Sequence, residues 1–356
     1  MLRRKLLITT LALLFSTLAC RAATRLIFPD TPSPQSPTPA ATLASLPTEI
    51  AAPLPTAKPA PAPITCTDDT CFDACLTRIN EALETGQAEN IGGEYADKEV
   101  SLDLVLYKVE DGKLGAPAIL YVPKEFQHLQ QDVAVQQSIW NYASSLLPPD
   151  QLKWISEFFI FTDGPDNTLA WVDNRDILDR AHWQLGIDIM DAADPIDLTY
   201  TLVHEFAHLI TLNTDQIPPV DSYSTWAQNP ATCPQFSIPE GCTSPDSYLN
   251  LFYQRFWSDV FDEWFETVEE VPVTSNEEYG KLVTDFYYRY EDLFVNDYAA
   301  TNIREDMAES FMYFVLEEKP KGDRIFEQKI RFFYEFPELV SLRKQIIQNV
   351  CSYAQP

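Results

Sequence analysis

The sequence predicts an α+β protein, with a mixed α/β N-terminal lobe, an all-helical C-terminal lobe and one distinctive helix between them. Three observations carry that expectation. Runs rich in β-branched and aromatic residues crowd positions 100–190. From about residue 247 onward the apolar residues recur with helical spacing. Between these regions, the run Thr199–Thr211 holds two of the chain's four histidines, four residues apart.

The chain opens with Arg3, Arg4 and Lys5, an apolar run from Leu6 to Ala19, and Cys20. Residues 1–19 read as a secretory signal peptide, too short to cross a bilayer comfortably. Thr17-Leu18-Ala19-Cys20 resembles a bacterial lipobox, although that pattern prefers Leu where Thr17 stands. The resemblance implies lipidation of Cys20 and an exported protein anchored on the outer side of a bacterial cell membrane. Plain secretion and a retained anchor helix are the alternatives. Residues 20–65 form a Pro/Ala/Thr-rich tether, with eleven prolines between Arg21 and Ile64 and no hydrophobic periodicity. Such a stretch buries too little apolar surface to offset the entropy of ordering it. Fully extended, it would reach on the order of 140 Å.

Residues 66–356 are expected to form the folded domain. Removing Cys20 from the seven cysteines leaves Cys66, Cys71, Cys75, Cys233, Cys242 and Cys351, an even set that can pair in an oxidising compartment. Cys233 and Cys242 bracket a short Pro-rich loop and are natural partners. Cys351 would then pair with one of Cys66, Cys71 and Cys75, leaving the other two to each other. A metal cluster of those three is the alternative, disfavoured because no Cys-x-x-Cys pair is present. The formal charge of −28 becomes −31 once Arg3, Arg4 and Lys5 leave with the signal peptide. A chain so acidic is not a nucleic-acid binder, because phosphate contact needs a basic surface.

Element by element, a helix is expected over Phe72–Glu84. Extended runs are expected over Val100–Val109, Ala118–Val122, Phe158–Thr162 and Leu169–Val172, with a helix near Leu129–Leu147 among them. Trp183–Met190 alternates and reads as a further strand, available for edge pairing with an extended peptide. Asp194 or Asp197 caps the histidine helix. Helices are then expected over Ser247–Thr267, Glu277–Phe294, Ile303–Leu316, Arg324–Tyr334 and Glu338–Asn349. Their aromatic stripes are core by default.

The motif His204-Glu205-Phe206-Ala207-His208 puts two imidazoles on one helix face with a carboxylate beside them, the arrangement that holds Zn²⁺ and supplies a base. Catalytic zinc takes three protein ligands, so one more is needed. Thr211 and Thr214 stand where one zincin class has its Gly and third His. The remaining route is a carboxylate on a later helix. Glu305 and Glu309 lie one turn apart on one side of an otherwise apolar segment, where acidic groups are costly without a cation. Asp306, Asp262, Glu263 and Glu266 are rival ligands.

HEFAH followed by Tyr298-x₆-Glu305-x₃-Glu309-x-Phe311 resembles the gluzincin zinc metallopeptidases, in particular the catalytic domain of the anthrax lethal-factor-like group. The likeness spans about thirty residues in two blocks. It implies a two-lobed zincin-like fold, His204, His208 and Glu305 as ligands of Zn²⁺, and Glu205 as general base toward a zinc-activated water. It also implies Tyr298 as an assisting hydroxyl and Glu309 as the carboxylate that orients a ligand imidazole. The gap from His208 to Glu305 is long for this family, which leaves substrate preference open. The expected activity is peptide-bond hydrolysis on a polypeptide substrate, with the membrane touched only through the N-terminal lipid. A zinc amidase acting on cell-wall crosslinks would use the same residues. A surface lipoprotein that keeps the zinc site for binding or adhesion is the non-enzymatic alternative.

Overall fold

The computed structural model describes residues 101–164, 168–176, 179–219, 233–239 and 241–353. The signal peptide, the tether, the Phe72–Glu84 helix and Cys20, Cys66, Cys71 and Cys75 lie outside the described residues. Within them the chain is an α+β protein, with an open mixed sheet followed by a helical region.

Six strands form the main sheet: β1 (Leu102–Glu110), β2 (Lys113–Leu114), β3 (Ala118–Ile119), β4 (Ile155–Thr162), β5 (Ala170–Asp176) and β6 (Asp179–Asp188). Their order is β2-β1-β4-β6-β5, with β3 also on β1. The Asp111-Gly112 turn, with both φ values positive, joins β1 and β2 as the two-residue hairpin such a pair favours. β4 and β6 run parallel, while β5 is antiparallel to β6 and forms the edge. The expected strand at Trp183–Met190 is therefore real but interior. β6 is flanked on both sides, and among the described residues the sheet ends at β5 on one side and at β2 and β3 on the other. Gly186 in β6 is fixed by packing, since a Cβ there would fall 2.2 Å from the ring of Trp171 on β5.

The expected helix at Leu129–Leu147 is split. A short turn at Gln127–Gln131 ends at Asp132, whose backbone is non-helical and whose side-chain carboxylate caps α1 (Val133–Leu146) by accepting from the Val135 N–H. The histidine helix is α2 (Pro195–Leu212), followed in the helical region by α3 (Asn276–Arg289), α4 (Ile303–Leu316), α5 (Ile325–Phe332) and α6 (Pro337–Tyr353). That region is not purely helical. The ribbon of β7 (Ser237–Ile238) and β8 (Gly241–Cys242) sits in it, closed by the Cys233–Cys242 disulfide. The segment expected as one helix from Ser247 is also broken: Tyr248–Phe252 and Phe261–Trp264 each run into a π-helical turn, Tyr253–Trp257 and Phe265–Glu269.

One continuous core joins sheet and helices, from Trp140, Phe158 and Ile160 through Leu202 and Phe206 to Phe252, Phe311, Phe314 and Phe333. Of the aromatic stripes, Phe252, Trp257, Trp264, Phe332 and Phe333 are buried in it, as their spacing led us to expect, while Tyr253 and Tyr334 are half-buried against it. Among the described residues no helix is long and apolar enough to cross a membrane.

Candidate metal centre

α2 begins where the sequence gives it a cap and a pre-set φ. The Asp194 carboxylate accepts from the N–H groups of Ile196 (2.8 Å) and Asp197 (3.4 Å), and Pro195 occupies the first turn. Of the two candidate caps, Asp194 takes the position. Ten residues into the helix, the four-residue spacing sets the rings of His204 and His208 5.0 Å apart on one face. α4 starts with Asn302, whose side chain accepts from the N–H groups of Arg304 (2.9 Å) and Glu305 (3.2 Å). This cap fixes the first turn, and Glu305 stands in it.

The two helices pack antiparallel along a polar seam. Glu305 Oε2 lies 3.3 Å from His208 Nε2 and 3.1 Å from His204 Nε2. Glu309 Oε1 lies 2.7 Å from His204 Nδ1. Further along, the Tyr200 hydroxyl donates to Glu317 at 2.9 Å. An ionised carboxylate can only accept, so Glu309 fixes the proton of His204 on Nδ1 and leaves Nε2 facing Glu305 and His208. The Asn296 amide donates to the other oxygen of Glu309 at 2.6 Å, so that carboxylate is itself held.

Glu205 is buried beside the histidines and accepts from the Val172 backbone N–H of edge strand β5 at 2.9 Å. Tyr298, on a 3₁₀ turn at Tyr298–Ala300, is buried with its ring centroid 5.7 Å from that of His204. The rivals of Glu305 are elsewhere. Asp306 is fully buried on another side of α4 with Lys329 and Trp257. Glu263 pairs with Arg289 and Tyr290, while Asp262 and Glu266 are exposed.

The electrostatics show a site that demands positive charge. Burial works against a charged His204, yet its hydrogen bonds to Glu305 and Glu309, with the charges of Glu309 and Glu205, outweigh it and hold its pKa well above the usual imidazole value. Burial likewise opposes ionised Glu305, but the two histidines hold it well below the usual carboxylate range. Burial raises Glu205 above its ordinary value despite the neighbouring imidazoles.

A metal fits this donor set. His204, His208 and Glu305 each offer one ligand atom, all within 4.8 Å of one another. Tetrahedral ligands at bond lengths of about 2.1 Å stand about 3.4 Å apart, close to the 3.1 and 3.3 Å separations seen here. Two imidazoles and a carboxylate suit Zn²⁺ better than Ca²⁺ or Mg²⁺, which prefer all-oxygen shells.

Three features of the site were not legible in the sequence. The Val172 N–H is a backbone group in a strand and has no signature of its own. Asn296 stands two residues before Tyr298, and a polar residue entering a buried turn was the available signal. The third, the Asp306–Lys329 pair, joins residues 23 apart in the chain. Cys351 is buried near the C-terminus and disulfide-bonded to a partner outside the described residues. Comparison with protein-family models, curated proteins and solved structures finds no match to this chain.

Proposed function

We propose that this chain is an exported zinc-dependent peptidase of two-lobed, gluzincin type, lipid-anchored through Cys20. The observation that carries the reading is the convergence of His204, His208 and Glu305 with the buried carboxylate of Glu205 alongside. A site used only to bind zinc has no need of that fourth group.

His204, His208 and Glu305 would hold the ion. Bound there, Zn²⁺ supplies Lewis acidity, polarising a carbonyl and acidifying water to a pKa of about 7. The rest of the chemistry belongs to the chain. Glu205 accepts the attacking water's proton and delivers it to the leaving amine. Glu309 keeps the His204 tautomer that leaves Nε2 for the metal, and Asn296 steadies Glu309. Tyr298, whose ring lies beside that of His204, would donate to the oxyanion as charge develops. Strand β5, an edge of the sheet among the described residues that already touches Glu205 through Val172, is where an extended peptide would pair.

Metal analysis and peptide-library cleavage on the purified chain test the reading. One zinc per chain and cleavage by the wild type are expected. Glu205→Gln should keep zinc and lower hydrolysis by at least about a hundredfold, the scale of losing a general base. Tyr298→Phe should keep zinc and lower kcat more than KM. A wild type that binds zinc but hydrolyses no peptide would replace this reading with the binding module. Hydrolysis of cell-wall amides alone would favour the amidase.

A further inference from the structure

We infer that Asp306, clamped by Lys329 and Trp257, is a positioning residue that sets the rotation of α4 and thereby aims Glu305 at the two histidines. The inference rests on the zinc reading above and adds to it what makes the third ligand point the right way.

Hydrophobic burial cannot set that rotation alone. α4 is buried almost all round, with Ile303, Met307, Phe311, Phe314 and Val315 all in the core. A helix that is apolar on every side has no single apolar face to define its azimuth. Its polar side chains must do so. Glu305 and Glu309 mark one direction, toward α2. Asp306 marks another, because successive side chains on a helix diverge by about 100°.

The Asp306 clamp is strict. Asp306 and Lys329 are both fully buried, with Lys329 Nζ 2.5 Å from Asp306 Oδ2. The Trp257 indole N–H donates to the same oxygen at 2.7 Å. The ammonium lies 4.5 Å from the centroid of Phe294 and within 6 Å of those of Phe252 and Trp257. Removing one buried charge from its partner is strongly unfavourable, so a turn of α4 that carried Asp306 away is opposed. Buried polar groups that set register rather than add stability are a known use of such pairs. The same aromatic corner also holds the turn bearing Tyr298. The Trp264 indole N–H donates to the Ala300 carbonyl at 3.2 Å, and the Trp257 and Trp264 rings meet edge to face 5.7 Å apart.

The test uses the full chain and two readouts, zinc affinity by chelator competition and the visible spectrum of the Co²⁺-loaded protein. The double variant Asp306→Asn/Lys329→Met removes both charges while keeping both shapes, so no orphan ion remains. It should fold, bind zinc at least about tenfold more weakly, and give an altered Co²⁺ spectrum, which a purely stabilising pair would leave unchanged. A folded double variant with wild-type affinity and spectrum would overturn the inference. Should that variant fail to fold, Trp257→Phe decides. It removes one hydrogen bond to Asp306 and should weaken zinc by about fivefold, and unchanged affinity would again overturn the inference. A wild type that takes up neither metal removes the zinc reading itself, and the wild-type arm alone identifies that case.

Discussion

Among the described residues two clusters could hold a cation, and they are built differently. His204, His208 and Glu305 form one, and Asp163, Asp188 and Asp191, where β4 and β6 end, form the other. In both, the candidate ligand atoms lie within 4.8 Å of one another. In the aspartate cluster the buried member is already engaged by the backbone: Asp188 accepts from the Met190 N–H at 2.7 Å and the Asp163 N–H at 2.8 Å. Those bonds close the turn that leads from the sheet toward α2. In the histidine cluster Glu309, itself held by Asn296, takes the far side of the His204 ring and leaves Nε2 toward the centre. Proximity of acidic and basic groups is thus a weak indicator of a metal site. What their second hydrogen bonds do separates a structural knot from a ligand set.

That contrast can be broken most sharply at the histidines. His204→Ala or His208→Ala should take bound zinc from one per chain to none, whereas Asp188→Asn should leave the stoichiometry unchanged, as measured by metal analysis after dialysis. Zinc retained by either alanine variant, or lost from the Asp188 variant, would reverse the assignment. A smaller effect is expected one shell out. Glu309→Gln no longer compels the His204 tautomer, and zinc affinity should fall by roughly 10- to 100-fold, measured by chelator competition, with the fold intact by circular dichroism.

The smallest expected effect concerns the aspartate cluster and appears in stability. Burial, aided by the charges of Asp191 and Asp163, pushes Asp188 up from 3.8 to about 8. The folded chain therefore binds a proton across that window that the unfolded chain has lost. The sign follows from proton linkage: the contribution is full below about pH 4 and disappears as pH rises through about 8. Asp188→Asn should flatten this part of the profile, so that the midpoint of thermal unfolding falls less between pH 5 and pH 8 than in the wild type. An unchanged slope would mean that Asp188 is ionised throughout.

Much of the site could be read without coordinates because its chemistry is local. The four-residue spacing of His204 and His208, the acidic pair Glu305 and Glu309, and the cap at Asp194 each depend on helix geometry within a few residues. α4 runs from Ile303 to Leu316, the bounds its periodicity predicts. The irregular segments were harder. An Asp inside a helical pattern leaves open whether the helix passes through it or restarts, and at Asp132 it restarts. The π-helical turns at Tyr253–Trp257 and Phe265–Glu269 depart from the 3.6-residue period by too little over five residues for apolar spacing to reveal them.

By itself, then, the sequence determined which side chains share a helix face, because rise and twist are properties of the local backbone. Only the tertiary structure decided that the strand at Trp183 lies inside the sheet. The alternation of Trp183–Met190 is the same whether one neighbour or two flank it, and the order β2-β1-β4-β6-β5 arises from contacts between distant segments. Tertiary packing also directed Asp306 to Lys329 and Glu305 to the histidines, although the two acids are adjacent in the chain and chemically alike. A 100° difference in direction separates them, and what each meets depends on α2, α5 and Trp257 arriving from elsewhere in the chain.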